Sequence, residues 1–520
     1  MTYKLDKDFR AGDFREDSAR AGFGEGLVAA ARDNPKIVAL AADLKDSVGF
    51  GEFAKTFPER FVELGIAEQN LVAVASGMAS QKNIPFAASY AAFSPGRNWE
   101  QIRTTICLNN QNVKIVGTHA GVNVGADGAT HQMLEDIALM RVLPNMVVIC
   151  PGDFNEAARV AKVVAQDSRP TYVRLPREKS PIFSVADAEF EIGRAYVLRE
   201  GTDVTLLGTG TMTAQNLLTA EMLARENISA EVVHVPTVKP LDADTILNSI
   251  AKTRMARTVE EHQIAGGFGS VIAELISENS LKINEISRTK FDRKIDKSVL
   301  FRRLGLRDEF GQSGAAVELL DFYGLTAEKI AYSVKRAFFK NLKQSGGGLA
   351  AEANVTYVAY GADRDPDMMR HICGGEVVAL ENGDDVFIEN YEMCIQTIDD
   401  VPELRWNGAE YSSKKNLRAA WGEDYDTFET YNIRPKVGAK VAAKLYKLTE
   451  IQHERVRDWE NWFKPVLVKV RTADGRILTA RTEALWEDQT ASRVVDGENY
   501  PTYLLDKAKI WRVADLSRGE

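Results

Sequence analysis

Cysteine is scarce in this chain: Cys107, Cys150, Cys373 and Cys394 are scattered through 520 residues, and no CxxC pair occurs. A disulfide framework or a structural zinc would need tighter spacing, so buried free thiols are expected. The apolar settings TTICLNN and MVVICPGD agree for Cys107 and Cys150. An excess of positive charge is also lacking. Lys+Arg 65 against Asp+Glu 74 leaves a formal charge of −9, which offers nucleic acid no basic footprint. No apolar run approaches the roughly twenty residues that span a bilayer. The opening MTYKLDKDFRAGDFREDSAR is charged where a signal peptide would be apolar. These absences argue against nucleic-acid and membrane partners and lead to the expectation of a cytoplasmic protein.

At this length one compact core is excluded, and about two to four domains are expected. A hydrophobic content of 45% with 27% charged residues is ordinary for globular protein. From residue 36 to about 175, KIVALAAD, VKIVGTH, MVVIC and TYVRL are short, rich in branched residues and bounded by turns, as buried strands are. Residues 68–81, 98–110 and 153–166 between them carry apolar residues at helical spacing. Such alternation predicts a parallel sheet with helices on both faces. PREKSPIFSVADAEF is an irregular connector. A second unit of the same type follows, with DVTLLGTG, AEVVHVPT and ARTVEE as strands and helices at about 211–225, 268–277 and 326–338. The GTG in it is a structural turn, since such turns are common in parallel sheets.

NLKQSGGGLAAEAN, residues 341–354, has the composition of a flexible linker. Beyond it the texture becomes mixed α+β. VLVKVRT and RILTARTEAL flank Ala473-Asp474-Gly475, a hairpin signal. LTEIQHERVRDWE predicts a helix capped by Thr449, with Gln452 completing a capping box.

Candidate chemistry lies in the first half. Glu68 opens a helix in ELGIAEQNLVAVASGMAS, where a lone carboxylate ordinarily only complements the helix N-terminus. Its company changes that reading. PFAASYAAFSPGRNWEQIR brings Tyr90 and Phe93, and THAGVNVGADGATHQ brings His119, Asp127 and His131 in a glycine-rich loop after a buried strand. Loops at the strand ends of such sheets carry ligand sites.

At these residues the sequence resembles transketolases, specifically their C-terminal portion. The resemblance spans roughly residues 15–338 and rests on ADL around Asp43, GIAEQN, YAAF, the TH-to-DG-x-TH loop, LPNMVV and YVRLP, then EEHQIAGGFGS and FGQSG with ELLDFYGLTAEKI. It implies a pyrimidine-binding domain at 15–185 and a transketolase C-terminal domain at 190–340. It implies thiamine diphosphate as cofactor, with Glu68 hydrogen-bonding N1′ of the aminopyrimidine and Tyr90 and Phe93 around that ring. His119 and His131 would be catalytic at the sugar hydroxyls, with Asp127 and Arg174 binding substrate, while His262 is read as structural.

The family's N-terminal GDG-to-Asn motif for magnesium and diphosphate has no counterpart ahead of residue 15. The resemblance therefore implies half of a split enzyme, with no metal ligands of its own. Mg2+ would be held mainly by a partner diphosphate-binding subunit, in an α2β2 heterotetramer acting on sugar or aldehyde substrates. Deoxyxylulose-phosphate synthases usually show DRAG where this chain has THAG. The beta subunits of 2-oxoacid dehydrogenases lack the His/Asp/His pattern. These two, and a catalytically silent scaffold, are the alternatives.

Residues 355–515 resemble gamma-glutamylcyclotransferase-like domains, through VTYVAYGADRDPDMMRHICGG and GAKVAAKLYKLTEIQHERVRDWENW. This implies a small α+β barrel in which Glu460 is the acid/base. Tyr360, Gly361, Ala362 and Asp363 replace the family's YGSN substrate loop.

Overall fold

Short runs of branched and small residues are buried on both faces only as interior strands of a helix-covered sheet, and the first half of the chain is built this way. The computed structural model describes residues 5–7, 9, 14–292, 298–344, 355–360, 366–373, 384–397, 400, 429–449, 452, 453, 456, 464–485, 491 and 493–498. The chain divides into two units, Met1–Lys335 and Arg336–Glu520.

In the first unit β1 (Ile37–Ala41), β2 (Phe61–Glu63), β3 (Ile84–Tyr90), β4 (Lys114–Thr118), β5 (Val147–Ile149) and β6 (Thr171–Arg174) form a parallel sheet. The strands that follow are β7 (Tyr196–Arg199), β8 (Val204–Gly208), β9 (Ala230–His234), β10 (Thr237–Lys239), β11 (Met255–Gln263) and β12 (Leu300–Leu306). β10 crosses over to pair antiparallel with β5, so the sheet orders are β10-β5-β6-β4-β3-β1-β2 and β12-β11-β8-β9-β7. The second sheet is parallel apart from β7. Every strand expected from the sequence in this half lies on one of these.

Apolar layers cover both faces of the first sheet. Phe23, Leu27, Phe53 and Val160 belong to one. Leu71, Ile106, Ile137 and Met140 belong to the other, which runs on into Leu207, Val233, Ile246 and Phe268, so the two domains of this unit share a core. The helix Ala19–Asp33, ARAGFGEGLVAAARD, was not expected because its glycines lower helix propensity. Packing explains them. A Cβ on Gly22 would stand 2.2 Å from the Phe154 carbonyl oxygen, and one on Gly26 2.2 Å from that of Ala158.

Two boundaries are corrected. The helix expected over 98–110 is a turn at Trp99–Gln101 followed by a π-helical stretch, Ile102–Cys107. There the Thr104 and Thr105 hydroxyls donate to the carbonyls four residues back, at 3.0 and 2.6 Å, competing with the regular ladder. The helix Ala327–Gln344 also takes in the first four residues of the expected linker, 341–344. The linker's three glycines lie outside the described residues.

In the second unit β13 (Val355–Ala359), β14 (Asp384–Thr397), β15 (Glu429–Leu448), β16 (Lys464–Thr472) and β17 (Ile477–Ala484) pair in the order β15-β13-β17-β16-β14. β14 also pairs with β15, which closes a five-strand barrel, and β18 (Arg493–Val495) adds to β14. Gly475, at φ 84, makes the expected turn between β16 and β17. The capping box forms: the Thr449 amide donates to Gln452 Oε1 at 2.9 Å, and the Gln452 amide to Thr449 Oγ1 at 3.2 Å. All four cysteines are buried free thiols.

Asp153 fastens the irregular connector to the sheet. It caps the helix Phe154–Val164 through the Glu156 amide at 2.8 Å, and also accepts the amides of Phe183 and Ser184 at 3.0 and 2.7 Å. Asp153→Ala should therefore cost more than a simple cap, about 2–4 kcal/mol, read as a fall in the urea midpoint. A loss below about 0.5 kcal/mol would mean that the connector is held by its other contacts.

Candidate active site

The candidate residues gather at the carboxyl ends of neighbouring strands. Tyr90 ends β3, His119 follows β4 directly, and Glu68 is the first residue of the helix Glu68–Ser80 after β2. Tyr90 and Thr118 are register partners, so the next residue, His119, emerges beside the Tyr90 ring. The two rings stack with centroids 3.7 Å apart and planes 24° apart. His119 adopts φ 56, a left-handed conformation in which histidine is better tolerated than most residues.

Phe93 and His131 extend the cluster. Phe93 stacks at 5.8 Å from Tyr90, and the His131 ring meets the edge of Phe93 at 5.4 Å and that of Tyr90 at 6.3 Å. The Tyr90 hydroxyl bonds Ser47 Oγ at 2.7 Å. Burial, then Arg20, Arg177 and His131, push the His119 pKa down to about 3, so the imidazole is neutral near pH 7. Its Nδ1 lies 3.0 Å from the Thr118 hydroxyl.

Glu68 is 5% exposed, and both of its carboxylate oxygens accept Arg97 Nη1 at 3.2 Å. The Arg97 guanidinium lies 4.3 Å from the Phe93 ring centroid, a cation–π contact. Asn98 Nδ2 donates to the Glu68 carbonyl at 2.7 Å, tying the aromatic segment to the helix start. Arg97 and Asn98 were not picked out from sequence. The available signal was Arg97 four residues beyond Phe93, a spacing that places side chains on one face of a helical turn.

Asp127 lies in the loop between Gly125 and Gly128, at φ 75 and φ 70. Arg177 stands 3.8 Å from its carboxylate and also donates to the Val124 carbonyl. Arg177, not Arg174, is therefore the arginine that the structure sets beside the loop. Arg174 is turned inward, where it donates to the fully buried Asp136 at 2.8 and 3.1 Å and to the Glu261 carbonyl at 2.7 Å. Its guanidinium is committed to neutralising Asp136. His262 is completely buried, with Nδ1 2.6 Å from the Gln263 carbonyl, in keeping with its structural reading.

In the second unit Tyr360 is buried, and its hydroxyl donates to the Glu483 carbonyl at 2.7 Å and to Asn432 Oδ1 at 3.1 Å. Gly361, Ala362, Asp363 and Glu460 lie outside the described residues.

The chemistry of these donors suits one end of the implied cofactor. A buried carboxylate beside aromatic faces fits an aminopyrimidine. Among the described residues, no group of three or more His, Cys, Asp or Glu side chains could hold a metal ion, and no helix is long and apolar enough to cross a membrane.

Comparison with known proteins agrees with this architecture. Residues 16–182 match the pyrimidine-binding domain of transketolase, and residues 193–330 match the transketolase C-terminal domain. A putative transketolase C-terminal section from Methanocaldococcus jannaschii is 43% identical over 314 residues, covering 60% of this chain and 93% of that protein. A 6-deoxy-6-sulfo-D-fructose transketolase subunit from Clostridium sp. strain MSTE9 is 38% identical, covering 58% and 89%. A solved split gene transketolase, an inactive beta4 tetramer, is 42% identical with a TM-score of 0.55, covering 62% of this chain and 98% of its own. The chain belongs to the transketolase family, with the two matched domains side by side in its first unit. That membership implies dependence on thiamine diphosphate.

The burial of His262 gives the fold a pH dependence whose sign can be worked out. Burial above all pushes His262 down to about 4 from an ordinary value of 6.5. Between those values the unfolded chain binds a proton that the folded chain does not, so stability is lost as pH falls. Relative to His262→Gln, the parent chain should lose about 1.4 kcal/mol per pH unit between about 6.5 and 4. Buried carboxylates remote from His262 cancel in this difference, whereas Asp136 and Glu260, 4.0 and 3.9 Å away, contribute to it. Parallel unfolding curves across the window would show that His262 is protonated in the fold.

Proposed function

We propose that this chain is one subunit of a two-component, thiamine-diphosphate-dependent ketol transferase. The observation that carries the reading is the continuous cluster from Glu68 through Arg97, Phe93 and Tyr90 to His119 and His131. Bound there, thiamine diphosphate would supply the thiazolium carbon that carries a two-carbon unit between sugars. Glu68 would hold a hydrogen bond at the ring nitrogen N1′, in a setting dry enough to strengthen it. Phe93 and Tyr90 would lie beside the ring. His119, neutral by burial, and His131 exchange protons with the sugar hydroxyls. Asp127 orients the sugar, and Arg177 is the cation available to an anionic end of the substrate. The sulfonated sugar named for the Clostridium relative is a substrate of that kind.

A partner subunit supplies the residues for the diphosphate and its magnesium, in an α2β2 assembly. The C-terminal section, the transketolase subunit and the split gene transketolase to which the chain is similar support this reading. The purified chain with thiamine diphosphate, magnesium and ketose donors should show no turnover until that partner is added. Robust turnover by the chain alone would end the two-component reading. In the reconstituted complex Glu68→Gln should lower kcat about a hundredfold or more, and a parental rate would mean that the pyrimidine site is elsewhere.

For the second unit we propose recognition or cleavage of a γ-glutamyl-like amide. The closed barrel, the strand running to Tyr360 and the Thr449 capping box ahead of Glu460 support it. Glu460 would accept the α-amine proton as the amine attacks the γ-carbonyl, releasing 5-oxoproline and a free amine. Glu460→Gln should abolish 5-oxoproline release from a γ-glutamyl amine and spare ketol transfer. If the parent chain releases none, cleavage is ruled out, and recognition then requires that deleting residues 347–520 weaken acceptor binding.

A further inference from the structure

Glu261 is contributed by β11, in the second domain of the first unit, yet its carboxylate reaches the first-domain loop that carries His119, Asp127 and His131. It is 3% exposed. Oε2 accepts the Asn123 backbone amide at 3.0 Å, while Oε1 accepts Asn123 Nδ2 at 3.2 Å and the Thr211 hydroxyl at 3.1 Å. At each of these contacts a Glu261 oxygen is the acceptor, so Asn123 turns its NH2 toward it. That choice points the Asn123 carbonyl the other way, where Oδ1 accepts the Arg177 backbone amide at 3.2 Å. Reversing the side-chain amide would set two N–H groups face to face at Arg177. The loop is shaped to this carboxylate: a Cβ on Gly121, at φ 94, would stand 2.5 Å from Glu261 Oε2.

We propose that Glu261 is a positioning residue of the ketol-transfer site, acting through Asn123 to fix Arg177 and Asp127 beside His119. It touches no substrate. The inference rests on the reading above that this loop handles the sugar, and it gives the second domain a part in that handling.

The test uses the full chain with its partner subunit, thiamine diphosphate and magnesium. Glu261→Gln keeps the shape but replaces one acceptor oxygen with an NH2, which faces the Asn123 backbone amide or Asn123 Nδ2 donor to donor and so loosens that side of the loop's anchor. The sugar KM should rise about tenfold, the effect of losing roughly one buried hydrogen bond, with kcat and thiamine diphosphate affinity changed less than about twofold. Asn123→Ala should do the same, and stands in for Glu261→Gln should that variant fail to fold. In an Arg177→Met background the Glu261→Gln effect should shrink by about half or more, because one of the two positioned groups is gone. An unchanged KM, or an undiminished effect in that background, overturns the proposal. Amide hydrogen exchange of residues 119–131 and 175–180 in the chain itself should speed about tenfold in Glu261→Gln. Unchanged exchange also overturns it. This readout needs no turnover, so an inactive parental complex would sink the proposed function while the hold by Glu261 is still judged.

Discussion

The stacking of His119 on Tyr90 is the contact around which the rest of the candidate site is arranged. Two adjacent parallel strands end in register at Tyr90 and Thr118, and the chain leaves β4 through a left-handed histidine. Such a conformation costs on the order of 1 kcal/mol or more and persists only where surrounding structure over-determines it. The Tyr90 face, the Thr118 hydroxyl at Nδ1 and the buried loop behind do so. The consequence is electrostatic as well as geometric. A buried imidazole stacked on the Tyr90 ring, with Arg20 and Arg177 nearby, stays neutral, able to donate at one nitrogen and accept at the other.

The sheets were legible because burial on both faces leaves a composition that little else produces: VKIVGTH and DVTLLGTG read as interior strands without any partner in view. The helix Ala19–Asp33 was not, since Gly22 and Gly26 weaken it locally and are explained only by the helix packed against them. The arginines show the same limit within the site. Arg174 and Arg177 lie three residues apart, and a strand read without its neighbours gives no reason to prefer either. The choice is made by Asp136, a buried carboxylate on another element that claims Arg174. Arg177, past Pro176 and beyond the strand, is left to the loop.

Carboxylates organise this unit more than its modest charge suggests. Burying a carboxyl group is costly unless nearly all of its lone pairs are met, and burial pushes Glu260 up to about 8 and raises Glu261; four such groups are met in different ways. Asp136 takes Arg174 and the Tyr172 hydroxyl at 2.7 Å. Glu260 accepts the Phe268 and Gly269 amides at 2.6 and 2.8 Å, occupying a helix N-terminus that would otherwise attract an anion from outside. Glu156 takes His234 at 2.7 Å, joining the first domain to the second. Glu261 takes a loop amide and side chains from both domains. In two of the four, Glu156 and Glu261, partners come from the other domain, so these two carboxyl groups help specify how the two sheets meet.

Glu68 differs from those four in a way that bears on chemistry. Its partner, Arg97, is half exposed at 52%, and each contact is long at 3.2 Å. Ion pairs with one arm in water are worth little, whereas a fully buried pair resists being opened because it would strand a charge. A carboxylate that must exchange its partner for a ligand nitrogen cannot be bound as Asp136 is. On the proposed reading Arg97 gives way toward solvent, and Glu68, itself 5% exposed, then has a lone pair to offer. The weak pair is thus what the role proposed for Glu68 requires, and the buried pairs elsewhere in the unit are of the kind that hold backbone in place.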